Sequence, residues 1–167
     1  MIHLTIRSRR GILTTASASA ILLTFLGSLI ADDKSPSQIL NGNPAITSGG
    51  SSRFYDGQGR FARRTSANGS TVRMYDSQGR ATGRVEASQD SSRIYDRRGA
   101  FAGRSSQTGR DSRFYDRKGS IEGRSTTYGN TTRFYDSHGA YSGRAETSNG
   151  ATRYYDSAGR YVGRSTR

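Results

Sequence analysis

The sequence predicts an all-β protein built from tandem β-hairpin repeats. From Ser51 to its end the chain repeats every 20 residues without insertion or deletion, which is typical of an array of small units. Tyr-Asp recurs in every unit and is followed by a glycine, the pattern of short strands joined by tight turns. Only 31% of the residues are apolar, which argues against a thick globular core. Disorder is the alternative that this composition allows, but a disordered chain does not need aromatic residues at fixed intervals.

The repeat places certain residues at fixed positions, which we number 1 to 20 within each unit. Position 3 is always Arg, positions 5 and 6 are Tyr-Asp, and position 9 is Gly. Gly-Arg follows at positions 13 and 14, except that Arg63 replaces the glycine in the first repeat. The six repeats begin at Ser51, Thr71, Ser91, Asp111, Thr131 and Ala151.

Each unit has the pattern of a β-hairpin. Arg133-Phe134-Tyr135 favours a strand, and Asp136-Ser137-His138-Gly139 fits a type I turn that a glycine in the left-handed conformation closes. A second turn is predicted near each unit boundary, as at Asn149-Gly150. The large side chains at positions 4, 5 and 11 are the expected core, which is too small for one unit to fold alone. The prediction is therefore about twelve short strands in an extended antiparallel sheet or β-solenoid over residues 51–167.

The alternation of side chains along a strand predicts which residues share a face. Positions 3 and 5 lie on one face and position 4 on the other. A three-residue turn loop would place position 5 opposite position 11. The same register would place Arg at position 3 opposite the glycine at position 13, which leaves room for a guanidinium or a Tyr ring.

The first fifty residues are predicted to be an export signal followed by a spacer. Residues 1–31 combine a basic start with an uncharged apolar stretch, as in a helical signal peptide. An uncleaved anchor is the alternative, and membrane contact is expected only through this segment. Ser8-Arg9-Arg10-Gly11-Ile12-Leu13 resembles the twin-arginine export motif. Residues 32–50 contain both prolines and are predicted to be a flexible linker. The expected location is the periplasm, the cell surface or the medium.

Catalytic groups are scarce in the repeats. The chain has no Cys, so disulfides and cysteine metal sites are excluded. His138 is the single His beyond the signal, and it occupies a variable turn position. No Ser or Thr has a partner base at a fixed spacing. We expect no enzymatic activity, no cofactor and no metal.

Two rows of Arg and one of Tyr are the candidate ligand-binding residues. The net charge of +13 comes almost entirely from Arg, whose planar fork binds phosphate, sulfate and carboxylate. One hypothesis is that the rows bind an anionic polymer, an envelope polysaccharide above all. The alternative is a structural or self-associating repeat in which Arg pairs with the Asp at position 6, and nucleic-acid binding is a third hypothesis. The rows are Arg53, Arg73, Arg93, Arg113, Arg133 and Arg153; Arg64, Arg84, Arg104, Arg124, Arg144 and Arg164; and Tyr55, Tyr75, Tyr95, Tyr115, Tyr135 and Tyr155.

The repeat resembles the YD repeat of RHS and teneurin-type proteins. Tyr75-Asp76-Ser77-Gln78-Gly79-Arg80 matches that motif, and the resemblance covers residues 51–167. It implies β-hairpin units that wind into an extended sheet. Members of that family use many dozens of units, whereas this chain has six. A weaker similarity is to the choline- and glucan-binding repeats of cell-wall proteins, but these bind choline through Trp, which this chain lacks.

Overall fold

The computed structural model describes residues 50–167, and all regular structure in this range is β-strand. The predicted signal or anchor at 1–31, its helix, and almost all of the predicted linker lie outside the described residues. Within the described range, no helix is long and apolar enough to cross a membrane.

Twelve strands alternate with short turns, two strands to each repeat. They are β1 (Gly50–Asp56), β2 (Phe61–Asn68), β3 (Thr71–Asp76), β4 (Ala81–Ala87), β5 (Ser91–Asp96), β6 (Phe101–Thr108), β7 (Asp111–Asp116), β8 (Ile121–Tyr128), β9 (Thr131–Asp136), β10 (Tyr141–Ser148), β11 (Ala151–Asp156) and β12 (Tyr161–Thr166).

The strands close into a barrel. Each strand pairs antiparallel with its chain neighbours, and β12 pairs with β1, where Phe54 lies opposite Ser165. The predicted extended sheet or solenoid is therefore wrong, although the all-β class and the hairpin units are correct. The repeat pattern describes only neighbouring strands, so it is the same for an open row and a closed ring.

The stagger between strands explains the closure. Arg53 lies opposite Arg64 in its own hairpin, and Arg64 lies opposite Tyr75 in the next one. One repeat therefore moves the register by two residues, and six repeats move it by twelve, equal to the number of strands. The eight-stranded barrel with a shear of eight has the same ratio and a strand tilt of about 36°. Strands with this tilt coil the sheet back onto its first strand.

The Asp-x-x-Gly turns form as predicted. Asp56 Oδ1 accepts hydrogen bonds from the backbone N–H groups of Gln58 (3.0 Å) and Arg60 (2.8 Å), and Gly59 has a φ of +81°. The other five turns repeat this arrangement. The backbone N–H of Gly59 also donates to the carbonyl of Asp56, which closes a three-residue loop.

The register within each hairpin is partly as predicted. Tyr135 lies opposite Tyr141, which confirms the pairing of positions 5 and 11. The predicted pairing of positions 3 and 13 is wrong by one residue, because a β-bulge at Ser142 and its equivalents shifts the strand. Arg133 therefore lies opposite Arg144, and Gly143 lies opposite Phe134.

The inward face carries positions 2, 4 and 15. Position 4 supplies the largest buried side chains, all at most 5% exposed: Phe54, Met74, Ile94, Phe114, Phe134 and Tyr154. Small residues such as Ser125 and Val85 face them from position 15. The expected burial of position 11 is wrong, since Ile121 is 51% exposed on the outer face. The Tyr residues at position 5 are only half-buried.

Candidate functional site

Positions 3, 5 and 14 face outward and form a continuous band around the barrel, which we call the arginine belt. All six Arg residues at position 3 are exposed, and the Tyr residues at position 5 are half-buried. The Arg residues at position 14 range from half-buried to exposed. All eighteen residues that the sequence singles out therefore lie on one surface, opposite the buried position 4.

Each hairpin places two Arg residues directly opposite one another. This pairing follows from the bulge, which moves Arg at position 14 into line with Arg at position 3. Like charges in directly opposed positions destabilise a sheet. The six pairs are Arg53–Arg64, Arg73–Arg84, Arg93–Arg104, Arg113–Arg124, Arg133–Arg144 and Arg153–Arg164.

The Arg residues at position 14 stack on the Tyr residues of the next repeat. The guanidinium carbon of Arg64 lies 4.0 Å from the centre of the Tyr75 ring. The same contact recurs at every junction and crosses the closing seam, where Arg164 covers Tyr55 at 5.3 Å. A cation over an aromatic face is attracted by its quadrupole, so this contact holds the position-14 side chain at the Tyr ring.

The Arg residues at position 3 form no ion pair within residues 50–167. The acidic groups beside the belt instead bind position 14: Glu86 pairs with Arg84 at 3.1 Å and Glu146 with Arg144 at 2.6 Å. The hydrogen bond to Glu146 raises the pKa of Arg144. The six Arg residues at position 3 thus contribute positive charge that no ion pair among residues 50–167 offsets.

The Asp residues at position 6 belong to the turns. Asp56, Asp76 and Asp156 accept hydrogen bonds from the side chains at position 10, where Arg60, Arg80 and Arg160 lie at 2.6–2.7 Å. The side-chain hydrogen bond from Arg80 lowers the pKa of Asp76. In these three turns the carboxylate therefore pairs with a position-10 Arg, a residue that the sequence-based hypothesis did not include.

Exposed apolar side chains at position 11 border the belt. Phe61, Phe101 and Tyr141 are about 40% exposed, and each ring meets the Tyr of its own repeat edge-on at 6.1–6.3 Å between centres. The sequence shows this recurrence of large apolar residues, but the pattern alone predicts that they are buried. Here the aromatic groups extend the belt toward the rim that carries the Asp-x-x-Gly turns.

A shallow groove lies where two repeats meet. Arg113, Ile121 and Arg124 line one side, and the next turn, 136–139, lines the other, around a volume of about 330 Å³. Within this turn His138 Nδ1 lies 3.2 Å from Ser137 Oγ. No cluster of His, Cys, Asp and Glu among the described residues could hold a metal ion. The groove therefore offers a ligand hydrogen bonds, charged groups and the apolar side chain of Ile121.

No protein-family model matches the chain, and no curated protein matches it. The resemblance to YD repeats and to cell-wall-binding repeats therefore stays a prediction.

Proposed function

We propose that the barrel binds an anionic polymer, an envelope polysaccharide, along the arginine belt. The observation that carries this proposal is the set of six outward Arg–Arg pairs. Opposed like charges weaken the sheet, and the Tyr contact stabilises only the position-14 member of each pair. The stability of the barrel therefore does not account for the position-3 row. An anion held between the two guanidinium groups relieves their repulsion.

The geometry of the belt suits acidic groups on a sugar. Arg presents N–H donors in a planar fork that matches carboxylate, sulfate and phosphate. The position-14 guanidinium is already held by its Tyr contact, so less side-chain freedom is lost on binding. The exposed rings at position 11 offer flat apolar surface beside the charged groups. Each repeat junction therefore combines charge recognition with a stacking surface.

The repetition of the belt favours a polymer over a small ligand. Six equivalent junctions surround one barrel, so a chain with regularly spaced anionic groups engages several of them at once. Linked contacts of this kind raise avidity well above the affinity of each. The predicted export signal favours a glycan of the cell envelope over nucleic acid.

A self-associating structural repeat is the second candidate. The observation that favours it is the exposed apolar row of Phe61, Phe101, Ile121, Tyr141 and Tyr161. This candidate assumes that the belt Arg residues pair with the Asp residues at position 6. Three of those carboxylates pair with position 10 instead, which weakens the candidate.

Two charge-matched variants test the proposal. One replaces four belt residues, Arg73, Arg93, Arg113 and Arg133, by Gln. The other replaces four turn residues, Arg97, Arg98, Arg117 and Lys118, by Gln and changes the net charge equally. Heparin affinity is measured over a series of salt concentrations. A plot of log affinity against log salt concentration has a negative slope, which is about 0.9 steeper for each phosphate contact on duplex DNA. If heparin behaves similarly, loss of four contacts should make the slope of the belt variant shallower by about 3–4.

The slope of log affinity against log salt concentration should change far less in the turn variant. Equal losses in the two variants would show that only net charge matters and would contradict a belt site. Lipopolysaccharide and single-stranded DNA in place of heparin distinguish a glycan from a nucleic acid. No binding to any of the three, with a molar mass that grows with concentration, would establish self-association instead.

A further inference from the structure

Two departures from the repeat meet at the closing seam of the barrel. Arg63 occupies position 13, where the other five repeats have Gly, and Tyr154 occupies position 4, where the others have Phe, Met or Ile. They belong to the first and last repeats, which closure makes neighbours through β11, β12, β1 and β2. Ser165 lies opposite Phe54, and Phe54 lies opposite Arg63, so these three side chains share the inner face. Tyr154 is buried on the same face, opposite Gly163.

The seam contains buried hydrogen-bond donors that have no acceptor. Nε and Nη2 of Arg63 are buried, and neither has an acceptor. The guanidinium carbon lies 5.1 Å from the centre of the Phe54 ring. Tyr154 Oη and Ser165 Oγ share one hydrogen bond of 3.2 Å, which uses only one of the two hydroxyl hydrogens. Tyr154 and Ser165 are at most 5% exposed.

The charge on Arg63 has no carboxylate partner. Asp76 lies opposite Arg63 in the register, but its carboxylate pairs with Arg80. Burial lowers the pKa of Arg63 to about 10, which leaves the group protonated at neutral pH. Arg63 and Tyr154 are close enough to shift each other's pKa, and burial raises the pKa of Tyr154, so the phenol stays neutral. A shielded cation beside neutral donors favours a negative ion.

We propose that the closing seam binds one small monovalent inorganic anion of the chloride class, held by Nε and Nη2 of Arg63 with a hydroxyl hydrogen from the Tyr154–Ser165 pair. One negative charge balances the one guanidinium. The donor atoms lie on the inner face of the barrel and the belt lies on the outer face, so this site is separate from the arginine belt. Because its donors come from the first and last repeats, the anion stabilises the closed ring.

Thermal unfolding of the full chain tests the proposal. The melting temperature is measured in sodium chloride and in sodium gluconate at equal ionic strength. The wild type should melt at a higher temperature in chloride, and the difference should grow with the logarithm of chloride concentration. Arg63→Gly restores the residue of the other repeats and should abolish the difference. Arg133→Gln, on the belt, should keep it.

A second variant and a diffraction experiment complete the test. Tyr154→Phe gives the residue found at this position in three other repeats, and should reduce the chloride effect without removing it. Crystals grown in sodium bromide should show anomalous scattering within hydrogen-bond distance of Arg63. Equal melting in the two salts, a chloride effect that persists in Arg63→Gly, or bromide bound only at belt residues would each overturn the proposal.

Discussion

Glycine at position 13 allows two strands to approach more closely than a side chain permits. A Cβ on Gly163 would lie 2.5 Å from the carbonyl oxygen of Tyr55, and one on Gly83 equally close to that of Tyr95. Gly163 also has a φ of +152°, which residues with side chains rarely adopt. Arg63 occupies the equivalent place in the first repeat, and its φ is not positive. The glycine thus allows the close contact between strands. The prediction from sequence, that it makes room for a guanidinium, is wrong.

Replacing Gly163 by Ala should destabilise the barrel by about 1–3 kcal/mol, since the added methyl group forces the strands apart. Gly57→Ala is the control, because a Cβ there would meet no atom closer than 3.6 Å. The free energy of unfolding in urea measures both. Equal stability of the two variants would contradict a steric role for Gly163.

At the scale of a single element, the turns at Asp56, Asp76 and Asp156 are tightened by a position-10 Arg. For Asp56 and Asp156, burial raises the pKa of the carboxyl, but hydrogen bonds from the side chain and backbone of the Arg outweigh it. For Asp76 the side-chain hydrogen bond from Arg80 is the largest effect. In all three the net result is a lowered pKa, so the folded state holds its protons less tightly than the unfolded chain.

Acid should therefore weaken the barrel through these turns. A group with a lowered folded pKa adds stability that is present above its unfolded pKa, here 3.8, and is lost as the pH falls through the folded value. In the triple variant Arg60→Gln, Arg80→Gln, Arg160→Gln, stability should change less between pH 5 and pH 2 than in the wild type. Urea midpoints across this range measure the difference. An unchanged pH profile would show that the Arg residues do not set it.

The hairpin was predictable from sequence to within one residue. Asp at position 6 and Gly at position 9 specify the turn through local hydrogen bonds and φ, and these effects do not depend on the rest of the molecule. The bulge at Ser142 and its equivalents left no such signal, since Ala, Thr, Glu, Ser and Val all occupy that position. The pairing of Arg133 with Arg144 depends on this bulge and could not be foreseen.

At the scale of the whole molecule, the pairing of β1 with β12 distinguishes a ring from a row. Neither strand has a sequence feature that specifies its partner, because every odd-numbered strand carries the same Arg-x-Tyr-Asp motif. Closure depends on a stagger accumulated over all six repeats. The face that positions 3 and 5 share was easier to predict than the fold, since it depends only on local alternation. The place of position 14 beside them depends on the bulge.

Loss of one repeat should therefore be far more damaging than in an open array. Deletion of residues 151–167 leaves β1 and β10 with unpaired edges, and we expect loss of cooperative unfolding or formation of aggregates. A circular permutant that begins at Ser91, with three residues joining Arg167 to Ser51, keeps all twelve strands and should unfold cooperatively. Thermal melting and size-exclusion chromatography measure both. A stable monomeric deletion variant would contradict obligatory closure.

The same closure gives folding an order in time. Eleven of the strand pairings join chain neighbours and need only short loops to form, whereas the twelfth joins residues more than a hundred positions apart, such as Phe54 and Ser165. During synthesis β1 emerges first and keeps an open edge until the last strand arrives. Charged side chains on an open edge oppose pairing with other chains. Arg53, whose charge later joins the belt, thus also protects the growing sheet from aggregation before the ring is complete.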